Sequence, residues 1–298
     1  MDHHAVTERA MDRHAIAANG ISAVVKADGA ELCSLRDAAG REFLWQALPA
    51  WPRHAPVLFP IVGRLAGDRL RHDGQSYPLT QHGFARDRRF AWEACTPTGC
   101  RLRLEDDAGT RSRYPFAFRF EVAYAVSDAA LSMTFTITNT GESVLPASMG
   151  AHPAFRWPLA DGIPKTAHTL VFASAEPAPV RRLSGGLLLP DPVPTPIVGD
   201  TLRLDEALFD ADALILDQPA SRSVRYAAPG APAVEVSWEG FAELGIWMKP
   251  GADFLCIEPW RGYASPVGFD GAFASKPGLL LIPPGEERAA MLRVALSG

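Results

Sequence analysis

The chain has 298 residues, 47% of them hydrophobic and 21% charged, a balance that suits a globular protein able to bury a large core. Its net charge of −5 comes from basic and acidic residues interleaved along the whole sequence, which leaves no basic stripe for a nucleic acid. No run approaches the roughly 18 apolar residues of a membrane helix, and Met1-Asp-His-His-Ala5 lacks the basic-then-apolar layout of a signal peptide, so a soluble, cytoplasmic protein without a membrane partner is expected.

Residues 1–15 read as a flexible tail, with Met11 a second candidate start, and 16–298 as one domain. From Ile21 the sequence becomes a series of short extended runs. Ser22 to Lys26, Glu31 to Leu35 and Arg41 to Trp45 are separated by Asp28-Gly29 and Asp37-Ala-Ala-Gly40, which is hairpin chemistry. Arg69 to Tyr77 holds another Asp-Gly between short flanks, and Arg89 to Cys95 pairs naturally with Cys100 to Glu105 across Thr96-Pro-Thr-Gly99. Phe116 to Tyr124 alternates, and Leu131-Ser-Met-Thr-Phe-Thr-Ile-Thr138 does so most clearly, apolar against hydroxyl with period two. A second extended run follows from Val144 to Met149. Further runs lie at Val171-Phe172, Val224 to Tyr226, Val234 to Trp238, Phe254 to Ile257, Leu279 to Ile282 and Met291 to Leu296. The 26 prolines exceed the roughly 5% of average usage and fall between these runs, where they break helices and protect strand edges. Pro177 to Thr201, rich in Pro and Gly, reads as a long surface excursion. The pattern predicts an all-β chain of large sheets packed face to face, without a long amphipathic helix.

Several polar residues stand out against that background. His152, in Gly150-Ala-His-Pro-Ala-Phe155, is biased toward extended backbone by Pro153, which sets its imidazole at a strand end, either to exchange a proton near neutral pH or merely to close a turn. Glu258 ends the apolar run Phe254-Leu-Cys-Ile and shares a face with Phe254 and Cys256, where a carboxylate is costly unless used or paired. Arg64 interrupts the apolar Val57 to Leu65, and its fork suits either a surface role or ligand oxygens. Gln81-His82-Gly-Phe-Ala-Arg86-Asp87 is a dense turn of the kind that carries sites. Asp212 heads the apolar run Ala213 to Leu216, with Asp205, Asp210 and Asp217 close by. There is no His-x-His, no His-Glu-x-x-His and no Gly-x-Ser-x-Gly, so neither a metal site nor a serine nucleophile is expected. Cys33, Cys95, Cys100 and Cys256 form no C-x-x-C pair and read as reduced thiols. What remains is one histidine and one glutamate on separate strands with Arg and His donors, a set fit for moving protons on a polyol without a cofactor.

The stretches Phe59-Pro-Ile-Val-Gly-Arg64, His82-Gly-Phe-Ala-Arg86-Asp, Tyr114-Pro-Phe, Asn139-Thr-Gly, Gly150-Ala-His152-Pro-Ala-Phe155, Glu258-Pro-Trp and Pro283-Pro-Gly-Glu follow one another in an order that resembles the aldose 1-epimerase (galactose mutarotase-like) family. The resemblance spans Ile21 to the C-terminus. It implies a β-supersandwich, a sugar cleft across one sheet and interconversion of α and β anomers, by a monomer or homodimer that needs no cofactor. By the resemblance, His152 is the acid that protonates the ring oxygen and Glu258 the base that takes the proton from the C1 hydroxyl. Arg64 and His82 match positions that hold sugar hydroxyls, and Asp212 matches a further hydroxyl-binding aspartate, although the histidine that usually follows it is Ala213 here and Asp210 competes for the role. Gly63-Arg64 departs from the Asn-Arg pattern of true galactose mutarotases, and the His82 to Asp87 string also resembles hexose-6-phosphate 1-epimerases, for which Arg86 is the nearest phosphate ligand. A free aldose is therefore the first expectation and a hexose 6-phosphate the second. A silent sugar-binding or sensor domain on the same fold is the third.

Overall fold

The computed structural model of the protein describes residues 12–297. Ala130–Asn139 alternates buried and half-buried side chains along most of its length, as its period-two sequence requires. It pairs antiparallel with Phe118–Ser127 on one side and Glu287–Ser297 on the other. These three long strands form the middle of a nine-stranded sheet, which Gly99–Glu105 and Ala91–Thr96 extend at one end. Ala233–Glu239, Ser223–Ala227, Thr169–Phe172 and Thr201–Arg203 extend the other. A six-stranded sheet is built on Phe254–Arg261, which pairs with Glu243–Trp247 on one side and with both Met149–Ala151 and Ala154–Arg156 on the other. Leu214–Leu216 and Val57–Leu58 complete it.

The sheets meet through aromatic side chains. Phe59, directly after Val57–Leu58, stacks on Phe120 of the larger sheet at 4.5 Å and packs against Phe118 at 4.8 Å. Both rings are fully buried, in the large apolar cluster that lies between the layers. Burying one such ring stabilises the fold by roughly 1.5–3 kcal/mol, so this seam holds the layers together. Among the described residues, helix is confined to one short α-turn, Ala108–Arg111, and to 3-10 turns, and none is long and apolar enough to cross a membrane.

Most of the expected runs are strands, and the Asp73-Gly74 hairpin has both residues at positive φ, 47° and 73°, as a two-residue primed turn demands. Four expectations change. The last three residues of the stretch read as a tail, 13–15, belong to a strand, Arg13–Ala18, that pairs with Ile21–Lys26 and buries Ile16. Its signal was Asn19-Gly20, a hairpin dipeptide between the two. Residues 1–11, which hold the rest of that tail and Met11, lie outside the described residues. Arg41 to Trp45 makes only isolated bridges, because the Glu42 carboxylate takes the backbone N–H groups of Leu35 and Leu44 and the Ser34 hydroxyl, displacing a regular ladder. Pro177 to Thr201 is more than a surface excursion: Val180 and Leu188 are buried, and Arg181 bridges to Ile215 at the edge of the smaller sheet. Finally, Glu243–Trp247 is a strand that the sequence reading passed over, since Gly245 in its middle reads as a breaker.

Candidate active site

The smaller sheet brings the singled-out histidine and glutamate together by register. Gly150 lies opposite Trp260 and Ala154 opposite Cys256, so the interval between the two short strands places position 152 across from position 258. Pro153 supplies no N–H and interrupts the ladder there, while the His152 N–H donates outward to the carbonyl of Pro56 at 3.1 Å. The imidazole is thereby turned onto the glutamate. His152 Nε2 lies 3.2 Å from Glu258 Oε2, both side chains being nearly sealed from solvent.

This pair occupies the floor of a cleft of about 690 Å³. Burial pushes the Glu258 carboxyl well above its usual range, with Asp212 adding to the rise and the Trp260 indole N–H partly offsetting it. Burial likewise pushes His152 down to about 3, helped by the cations Arg86 and Arg53. Both directions favour the uncharged forms, a carboxylic acid beside a neutral imidazole. Glu258 Oε2, His152 Nδ1 and Trp260 Nε1 are buried without a formed hydrogen bond. Trp260 reaches this position because its neighbours are glycines: a Cβ at Gly245 would lie 2.4 Å from the indole, and one at Gly150 would lie 2.7 Å from it. Cys256 brings its thiol within 4.8 Å of the pair's ligand atoms, but burial and Glu258 raise it well above its usual value, and a protonated thiol is a poor metal ligand.

The expected turn from Gln81 to Asp87 forms one wall. His82 takes a positive φ of 65°, and the Gly63 N–H donates to its Nδ1 at 3.2 Å, which leaves the proton on Nε2. Burial, with His152, Arg86 and Arg53, depresses its protonation well below the ordinary value, so His82 is a neutral hydrogen-bond donor. Gly83 is required here, because a Cβ would meet the Phe59 carbonyl oxygen at 2.3 Å. Arg86 lines the cleft, its Nη2 donating to the Gln81 carbonyl at 2.7 Å, while its buried Nε makes no hydrogen bond among the described residues and lies 3.9 Å from Asp87 Oδ2. Burial and Arg53 lower it to about 10, still a cation at neutral pH.

Asp212 and Asp210 both line the opposite wall, so the structure leaves two aspartates where the sequence left two. Asp212 accepts the Ala213 N–H at 2.7 Å and sits at a φ of 67°, a conformation that Asp tolerates better than most residues. Arg64 is placed differently from expectation. It is not among the lining residues, and its guanidinium grips Asp68 with two bonds of 2.7 and 2.6 Å, under the Gly185-Gly186 turn. Its neighbours Val62 and Gly63 reach the cleft instead. Trp51, Trp247, Trp260 and Lys249 also line it, and the sequence reading assigned none of them to a site. Trp260 alone carried a signal, through its place two residues beyond Glu258 on the same strand face.

Residues 12–291 match the family described as aldose 1-epimerase. Protein LacX (plasmid) of Lactococcus lactis subsp. lactis is 30% identical over 268 residues, 86% of this chain and 90% of that protein. Among solved structures, a galactose mutarotase related enzyme from Lactobacillus acidophilus is 32% identical with a TM-score of 0.88, over 96% of this chain and 97% of that one. A galactose mutarotase-like protein from Lactobacillus casei ATCC 334 is 28% identical with a TM-score of 0.88, over 95% and 99%. The fold is thus the galactose mutarotase-like β-sandwich.

Proposed function

The chain belongs to the aldose 1-epimerase family, and from that premise we propose that it interconverts the α and β anomers of a free aldohexose, with His152 and Glu258 as the acid–base pair. The observation that carries this reading is the 3.2 Å approach of His152 Nε2 to Glu258 Oε2 on the floor of an open cleft. Anomerisation needs one group to take the proton of the C1 hydroxyl and another to give a proton to the ring oxygen. A bound sugar supplies the partners that the buried pair lacks: its hydroxyls donate to Glu258 and favour the carboxylate, while the ring oxygen accepts from a protonated His152. The proton moves from Glu258 to His152 inside the pair. Glu258 then takes the C1 hydroxyl proton, the bond between C1 and the ring oxygen breaks, and the ring oxygen takes the proton of His152.

The open-chain aldehyde is left beside a neutral imidazole and a protonated carboxyl, the same state that desolvation favours in the resting protein. Rotation about C1–C2 and closure on the other face return both protons by the reverse steps. The steps balance, because the ring oxygen gains one proton from the pair and the C1 hydroxyl returns one to it. His82 Nε2–H, Arg86 and one of Asp210 and Asp212 hold the remaining hydroxyls, whereas Arg64, engaged with Asp68, orders the rim. The unpaired cysteines support a cytoplasmic setting.

A hexose 6-phosphate is the second reading, favoured by two cations, Arg86 and Lys249, on the cleft wall. Saturation-exchange NMR over free hexoses, pentoses and their 6-phosphates separates the readings. Exchange above buffer on a free hexose supports the first, and exchange confined to phosphates replaces it with the second. Binding of sugar with no exchange on any of them would leave a sensor.

A further inference from the structure

We propose that Trp51 is a positioning residue for His152, its indole fixing the plane of the imidazole and keeping water from it so that Nε2 stays on Glu258. The proposal rests on the reading of His152 as the catalytic acid. An imidazole that hands over a proton is commonly oriented by a hydrogen bond at its other nitrogen. His152 has no such bond among the described residues: its Nδ1 is buried without a hydrogen-bond partner. What touches the ring is aromatic. Trp51 stacks on it at 5.2 Å and 29°, Trp247 stands edge-on at 5.7 Å and 86°, and His82 does the same at 5.6 Å and 81°.

Trp51 is itself held by groups outside the acid–base pair. Its N–H donates to the Leu48 carbonyl at 3.0 Å, and its own carbonyl accepts the Trp45 indole N–H at 2.7 Å. Its ring lies 5.1 Å from Phe254, at the start of the strand that carries Glu258. One strand therefore sets the glutamate directly and the histidine through Phe254 and Trp51. Removing the indole would open the His152 ring to water and free its rotation. The charged and titratable groups that face His152 are Glu258 and Cys256 from the same sheet, His82 and Arg86 from the neighbouring turn, and Arg53 from the segment that bears Trp51. A change on removing Trp51 must be read with all five unchanged.

The test follows the His152 ring by NMR titration and anomerisation by exchange in Trp51→Ala, Trp51→Leu and Trp51→Phe. In Trp51→Ala the His152 midpoint rises from about 3 toward the ordinary value by a pH unit or more. Its kcat falls about 10-fold or more, on the scale of a misplaced catalytic group, with KM changed much less. Trp51→Phe recovers most of both, and Trp51→Leu, which keeps an apolar wall without a flat ring, recovers the midpoint but less of kcat. If Trp51→Ala fails to fold, the Leu and Phe pair decides: equal kcat and equal midpoints in these two and the parent overturn the proposal. A raised KM with unchanged midpoint and kcat also overturns it, making Trp51 a sugar wall only. Full turnover in His152→Asn would sink the acid assignment, while the titration in the Trp51 variants would still report whether the stack shields the ring.

Discussion

Two buried regions of this chain hold the same residue types and use them in opposite ways. Glu176 is 2% exposed, and its carboxylate oxygens accept the backbone N–H groups of Ser221 and Ala220 at 2.7 and 2.8 Å. His168, fully buried, accepts the Leu159 N–H on Nε2 at 3.1 Å and turns Nδ1 to the Pro164 carbonyl at 3.0 Å. Their hydrogen-bonding capacity is spent on holding loops. Glu258 and His152 are buried too, yet Oε2 of one and Nδ1 of the other find no hydrogen bond among the described residues, and the pair opens on a cleft. Leaving a buried polar atom unpaired costs about 1–3 kcal/mol, and a fold tolerates that where a ligand restores the bonds. Burial of an acid or a histidine therefore says little about function. Where its hydrogen bonds go says more.

The widest separation between the two regions is expected in rate. His152→Asn should lower anomerisation by about 10²-fold or more with the fold intact, the usual scale of general acid–base catalysis, measured by NMR exchange. Near-normal turnover in a folded variant would remove His152 from the mechanism. The converse substitution, Glu176→Ala, strands two backbone donors and should cost about 1–3 kcal/mol in denaturant unfolding, with anomerisation per folded molecule unchanged. A loss of rate without a loss of stability there would erase the distinction between the regions.

Next in size is a pH effect on stability. Glu258 has a raised pKa in the fold, so above the ordinary carboxylate value the unfolded chain has lost a proton that the folded chain keeps. Its contribution is whole below that ordinary value and is lost as pH rises through the raised one. Relative to Glu258→Gln, the parent should therefore lose stability with rising pH, at up to ~1.4 kcal/mol per pH unit. Parallel stability curves for the two proteins would show that the carboxyl is already ionised when folded. The smallest effect is expected at Arg86. Arg86→Ala should leave kcat for a free aldose largely intact, with the loss falling on KM, since Arg86 holds a hydroxyl and not the reacting atoms. A strong preference for a 6-phosphate that disappears in this variant would reverse the order of substrates.

Much of the fold was legible because alternation survives in single strands: Leu131 to Thr138 could hardly be anything else. The proposed acid and base were legible as misfits, a histidine before a proline and a glutamate ending an apolar run. Their meeting was not, because register between strands so far apart in sequence, Gly150 against Trp260 and Ala154 against Cys256, leaves no local trace. Arg64 shows the opposite error. It looked isolated in an apolar run, but Asp68 four positions on was the partner that takes its fork. Trp51 lies in Pro49-Ala-Trp-Pro-Arg53, where no period exists to say which way a side chain points, so only packing reveals that it covers the histidine.

The central claim is that Glu258 is spared from structural bonding in order to move a proton. Glu258→Gln keeps the shape and a hydrogen-bonding head but cannot take the proton, so calorimetry and exchange NMR on that variant test the claim together. The expected result is sugar binding close to that of the parent with anomerisation lower by about 10²-fold or more. Unchanged binding with unchanged anomerisation would contradict it.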